Sequence, residues 1–183
     1  MASLKRPRDS TSRGSCQRGS GHDLACNWKT YAENYLEGYH IPMVHKELAR
    51  TVDVARYEVV ARGDWCLHRA PTKDGAVLDG RWLWRWPNLA LNLYRDSMNL
   101  EQFVPLGPTR TRVAYRYFSR DSTLDEEVSR ISKLLLMEDA TICEAVQRNL
   151  DAGVYDRGVL SPRHEHGVAA FQRMILEATG PDS

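Results

Sequence analysis

The sequence predicts an α+β fold, an antiparallel sheet curved around one long helix, and three observations predict it. Between Arg56 and Tyr117 six successive runs alternate with period two, each closed by a turn signal, the pattern of an antiparallel meander. From Leu124 to about Asn149 the apolar residues instead recur every three or four positions, as on one face of a helix. The chain holds 183 residues, 42% hydrophobic and 27% charged, which suits one globular domain with its own core.

Residues 1–23 are rich in Arg, Ser and Gly and nearly free of apolar side chains, so they are expected to form a disordered tail. The domain is expected over 24–179, with a short tail at 180–183. A formal net charge of +1 gives no electrostatic reason for a nucleic-acid or membrane partner. No apolar run reaches the roughly 18–20 residues needed to cross a bilayer, and no apolar stretch follows the N-terminal charges as a secretory signal requires. Cys16, Cys26, Cys66 and Cys143 lack framework spacing and fit a reducing, cytoplasmic setting.

The elements follow in order. Asn27 to Tyr39 reads as a helix whose Trp28, Tyr31, Tyr35 and Tyr39 form an aromatic stripe suited to core packing. Pro42 stops it from continuing regularly, and a break there is what lets His40 and His45, five apart, turn to one point. The strands are Tyr57–Ala61, Trp65–Ala70, Arg81–Pro87, Leu89–Tyr94, Met98–Pro105 and Thr111–Phe118, divided by Arg62-Gly-Asp, Lys73-Asp-Gly, Pro87-Asn, Arg95-Asp and Leu106-Gly-Pro. Trp82, Trp84 and Trp86 share a face of their strand, as sheet core or as the aromatic lining of a substrate cavity. The long helix carries an apolar stripe of Val128, Ile131, Leu135, Ile142, Val146 and Leu150, interrupted by Asp139. A last amphipathic helix is expected from Pro162 to Ala178.

A carboxylate on a buried helical stripe costs several kcal/mol unless it is paired or holds a metal. Two imidazoles and one carboxylate are the donor set of non-haem Fe(II) sites that activate O₂. His40, His45 and Asp139 make such a set. On spacing alone a second reading of Asp139 stays open, a buried salt bridge to Arg130 or Arg148.

The residues also carry a resemblance. Asn27-Trp-Lys, Glu33-Asn, Glu37-x-Tyr-His40 and His45 resemble the catalytic domain of the Rieske non-haem iron ring-hydroxylating oxygenase α subunits. Trp86-Pro-Asn-Leu, Pro105-Leu-Gly-Pro, Glu138-Asp139, Glu144-x-x-Gln147-Arg, Tyr155-Asp-Arg-Gly-x-Leu-Ser-Pro and His166 are similar to its later landmarks, in order. The likeness spans roughly 24–179. It implies a helix-grip fold (TBP-like, Bet v1-like), mononuclear Fe(II) held by His40, His45 and Asp139, and mono- or dioxygenation of a small, in many relatives aromatic, organic substrate. Glu37 matches the acid that leads from the iron site toward the Rieske cluster of a neighbouring subunit in a homotrimer. Glu rather than Asp at that position is closer to the choline and carnitine monooxygenase branch. That pattern points to a small polar or quaternary-ammonium substrate, with Trp82, Trp84 and Tyr94 as candidate cation–π contacts.

A Rieske [2Fe-2S] centre needs Cys-x-His and Cys-x-x-His in one small domain. Cys66-Leu-His68 fits the first half by letter only, inside the expected sheet. The expectation is therefore a catalytic domain without its N-terminal Rieske domain, fed by a separate Rieske protein and an NAD(P)H-dependent reductase. The alternatives are a remnant that keeps the fold and iron but does not turn over, and hydrolysis with Zn²⁺ in the same triad.

Overall fold

The six strands expected from alternation all form, and a seventh precedes them. The computed structural model describes residues 15–73, 78–119, 125–155 and 157–180. Within them one antiparallel sheet comprises β1 (Ser15–Leu24), β2 (Glu58–Arg62), β3 (Trp65–Arg69), β4 (Leu78–Arg85), β5 (Leu89–Tyr94), β6 (Ser97–Gly107) and β7 (Arg110–Ser119). The order across it is β1-β7-β6-β5-β4-β3-β2. The helices are α1 (Trp28–Tyr35), α2 (Ile41–Val44), α3 (Lys46–Thr51), α4 (Asp125–Asp151) and α5 (His166–Thr179). α1 and α4 pack on each other and on β6 and β7, while α5 covers β2. This is the expected α+β arrangement of sheet and long helix. No helix among the described residues is long and apolar enough to cross a membrane.

β1 corrects the expectation of disorder over its own residues; residues 1–14 lie outside the described set. Ser20 lies opposite Tyr115 and Leu24 opposite Thr111, with an irregularity between Gln17 and Gly19. Arg112 donates to Asp23 across the pair at 2.6 and 3.0 Å. A Gly/Ser-rich segment offers no side-chain alternation, yet its backbone still satisfies the open edge of β7, a drive that composition does not display.

The register aligns the inward residues in rows. His68, Trp82, Asn92, Asn99 and Tyr117 face one another strand to strand, and so do Cys66, Trp84, Ala90, Glu101 and Tyr115. Asn92, Asn99 and Glu101 are buried. Leu67, Leu83, Leu91 and Leu100 form a row on the opposite face and stay partly exposed. The inner face is therefore polar at its centre, where a cavity needs polar groups, and the leucines point outward.

Two helix boundaries and one buried helix face differ from expectation. α1 ends at Leu36, whose N–H bonds back to Ala32, so Tyr39 leaves the aromatic stripe and is 45% exposed. Gly38 follows; a Cβ there would sit 2.2 Å from the Tyr57 ring, so this turn accepts no side chain. α5 starts at His166, because the chain turns over Ser161–Glu165 first. On α4 the buried stripe is Val128, Ser132, Leu136, Ala140, Cys143 and Gln147, while Val146 and Leu150 are exposed. The helix is rolled by about one residue from its apolar pattern, which buries polar Ser132 and Gln147 and leaves Asp139 at the edge of the buried face.

Candidate metal centre

The start of α1 is pinned first. Asn27 caps it, accepting from the Lys29 N–H at 3.0 Å, and donates through Nδ2 to the Pro108 carbonyl at 2.6 Å. Two α4 side chains, Glu144 and Gln147, accept the Ala25 and Asn27 main-chain N–H at 2.9 and 2.8 Å. Thr111 on β7 donates to the Cys26 carbonyl. These bonds lock α1 against α4, and the face of α1 carrying Tyr31, Asn34 and Tyr35 then looks into the space between helix and sheet. Asn34 Nδ2 donates to Asp139 Oδ1 at 2.7 Å.

His40 and His45 flank α2, a single turn. Pro42 sits in the first turn of that helix, where its missing N–H costs nothing. The breaks fall instead after Leu36 and at His45, whose backbone is non-helical (φ −95°, ψ 71°). Both imidazoles thereby reach α4. His40 Nε2 lies 3.0 Å from His45 Nε2, His45 Nε2 lies 3.0 Å from Asp139 Oδ1, and His40 Nε2 lies 3.7 Å from the same oxygen. Arg130 pairs with Glu47, and Arg148 is exposed, so the salt-bridge reading of Asp139 does not hold.

The far nitrogens are spoken for. Glu37 Oε1 takes His40 Nδ1, and Glu138 Oε2 takes His45 Nδ1 at 2.7 Å. Glu37 Oε2 also accepts the N–H groups of Tyr39 and His40. A neutral ring that donates its Nδ1–H to a carboxylate presents a bare Nε2. Two bare nitrogens and a carboxylate oxygen converging at 3.0–3.7 Å repel one another unless a proton or a cation lies among them. Adjacent ligands about 2.1 Å from one ion lie about 3 Å apart, so the donor set fits a first-row metal. Among the described residues this is the one group of three or more His, Cys, Asp or Glu placed to hold a metal ion. Burial pushes His45 down, but the hydrogen bonds and charges of Asp139 and Glu138 outweigh it, so its net shift is upward.

A cavity of about 80 Å³ opens beside these atoms, between α4, α1 and the sheet. A water needs about 10–15 Å³ by this measure, so the space suits a molecule of only several non-hydrogen atoms. Ile41, Leu48, Leu135 and Leu136 form its apolar wall, and Tyr31, Tyr35, Tyr57, Trp82, Tyr94 and Tyr115 its aromatic one. No Lys or Arg is among the described lining residues. Trp82 and Tyr94 line this cavity. Trp84 does not; it is fully buried and packs edge-on against Phe171 of α5, with ring centroids 5.5 Å apart.

Sequence reasoning missed two residues here. Glu138 was read only as a neighbour of Asp139, and its bond to His45 depends on the α2–α4 approach. Glu101, 3% exposed on β6, accepts from Tyr31 and Tyr115 hydroxyls at 2.8 and 2.9 Å and from Asn92 Nδ2 at 3.0 Å. Burial raises its carboxyl to about 7 against the pull of those three donors. His68, also fully buried, is pushed down to about 3 by burial and then by His40, and it pairs through Nδ1 with the Tyr57 hydroxyl. Its Cys66 neighbour shares the inner face of β3.

The sequence matches the family described as ring hydroxylating alpha subunit (catalytic domain) over residues 15–70 and 64–180. The chain belongs to that family. Choline monooxygenase of Arabidopsis thaliana is 31% identical over 151 residues, which cover 75% of this chain and 36% of that protein. The carnitine monooxygenase oxygenase subunit of Escherichia coli K12 is 28% identical over 173 residues, covering 82% of this chain and 46% of that protein. The chain thus spans less than half the length of these curated relatives. The quaternary ammonium Rieske monooxygenase CntA shares the fold with a TM-score of 0.77 at 22% identity, covering 90% of this chain and 49% of that one. Dicamba monooxygenase shares it with a TM-score of 0.63 at 16% identity, over 88% of this chain and 59% of that one. Members of this Rieske oxygenase family use mononuclear iron.

Proposed function

We propose that the chain is the catalytic domain of an Fe(II)-dependent oxygenase that hydroxylates a small cationic organic substrate. His40, His45 and Asp139 would hold the iron, and the observation that carries this reading is the convergence of two Nε2 atoms and Asp139 Oδ1 within 3.0–3.7 Å of one another. Bound Fe(II) supplies O₂ activation, with electrons from a Rieske [2Fe-2S] centre on a partner protein or subunit, itself reduced by an NAD(P)H-dependent reductase. Assembly as a homotrimer belongs to the same reading; a quaternary ammonium Rieske monooxygenase of this fold is described with inter-subunit electron transfer.

The chain's own groups do the rest. Glu37 and Glu138 hold each imidazole in the tautomer that bares Nε2 and keep the rings from turning. Asn34 fixes the Asp139 carboxylate. Glu37 further contacts the main chain of Tyr39, which reaches the surface, and this supports Glu37 as the link from the iron site toward the electron donor. Ile41, Leu48, Leu135 and Leu136 exclude water beside the reacting centre. The small, aromatic cavity, with no Lys or Arg among its described lining residues, supports a compact cation over an anion or a fused-ring hydrocarbon, and the relatives named for choline and carnitine agree with that choice. Trp82 and Tyr94 are placed to offer it their faces.

The test is reconstitution. The full chain, loaded anaerobically with Fe(II), is mixed with a Rieske protein, its reductase, NAD(P)H, O₂ and choline. Product coupled to O₂ uptake is expected only when the Rieske protein is present. Turnover with reductase alone overturns the electron route. Iron binding without turnover under any partner identifies a non-catalytic remnant.

A further inference from the structure

The acids around the cavity differ in what faces them. Glu37 meets His40, Glu138 meets His45, and Asp139 meets both imidazoles. Glu101 alone among these four meets only neutral donors, the hydroxyls of Tyr31 and Tyr115 and the amide of Asn92. It lines the cavity, its Oε2 accepts a single bond, and no Lys or Arg is among the described lining residues. A buried carboxylate without an opposing charge is costly, and a Gln could satisfy part of the same network.

We infer that Glu101 is the counter-charge of a cation subsite, the residue that makes the cavity prefer a quaternary ammonium group over an uncharged group of the same shape. The inference rests on the cationic-substrate reading above. A quaternary ammonium has no N–H to donate, so its recognition comes from π faces and from negative charge held nearby. Tyr31 and Tyr115 provide both, since their hydroxyls hold the carboxylate in place while their rings line the space. A metal at the three ligands would offset Asp139 and leave Glu101 uncompensated until the substrate arrives.

The experiment measures binding rather than turnover. The full chain, with and without Fe(II), is titrated anaerobically with choline and with its uncharged isostere 3,3-dimethylbutan-1-ol, followed by NMR. The wild type is expected to bind choline at least about tenfold more tightly than the isostere. Glu101→Gln should lose that preference, and Glu101→Asp should keep most of it; circular dichroism checks that each is folded. A Glu101→Gln chain that still prefers choline overturns the role of Glu101 and leaves the cationic-substrate reading standing. A wild type that binds neither compound, or shows no preference, overturns that reading and the inference with it.

Discussion

The cavity has two acidic ends, one on helices and one on the sheet, and they are built on opposite plans. At the helical end every carboxylate faces an imidazole, and three donor atoms are left pointing inward as a set with more negative than positive charge, which a bound cation would balance. At the sheet end Glu101 faces only neutral hydroxyl and amide groups. The first arrangement suits a resident ion, and the second a charge that comes and goes. The difference teaches that a carboxylate's role is set by what opposes it rather than by how deeply it is buried.

The sheet end should show the larger effect on stability. Glu101 titrates near 7 when folded, above its ordinary value near 4.5. Its folded form therefore holds the proton more tightly, so its contribution is fully present below pH 4.5 and is lost as pH rises through about 7. The span corresponds to about 3 kcal/mol. Chemical denaturation with chelator present should show this loss in the wild type, and a flatter profile in Glu101→Gln. Equal slopes in both would place the burial cost elsewhere.

At the helical end, Glu138→Gln and Glu37→Gln leave all three donors but loosen the rings. Each is expected to weaken Fe(II) binding about 10–100-fold, measured by competition with a chelator. An unchanged affinity would mean that the ligands are held by backbone alone. Gly38→Ala tests the wall between the two ends. Its methyl would overlap the Tyr57 ring, costing about 2 kcal/mol in thermal or urea unfolding, and it should also weaken choline binding. Asn27→Ala removes the cap that orients α1 toward both ends and should cost about 1 kcal/mol.

The two ends also differ in how far the sequence disclosed them. His40, His45 and Asp139 were legible because each breaks a local pattern: a histidine pair beside a proline, and an acid within an apolar helical stripe. The stripe itself was misplaced, since Val146 and Leu150 are exposed and Ser132 and Gln147 are buried. Glu101 was not legible. Alternation in Met98-Asn-Leu-Glu-Gln-Phe separates two faces without saying which is inner, and the leucine-bearing face turns out to be the outer one. The same inversion in Leu89-Ala-Leu-Asn-Leu-Tyr puts Asn92 beneath the cavity. Only the register that sets Glu101 beside Tyr115, and the packing of Tyr31 above it, exposes the site. β1 shows no alternation for a related reason, because its place comes mainly from backbone pairing with β7.

The metal site at the helical end is the central claim, and iron counting tests it most directly. Equilibrium dialysis of the full chain under anaerobic, reducing conditions should give about one Fe(II) per chain at neutral pH, and Asp139→Ala or His40→Ala should reduce that to background while the chain stays folded. One Fe(II) per chain retained in both variants would contradict it.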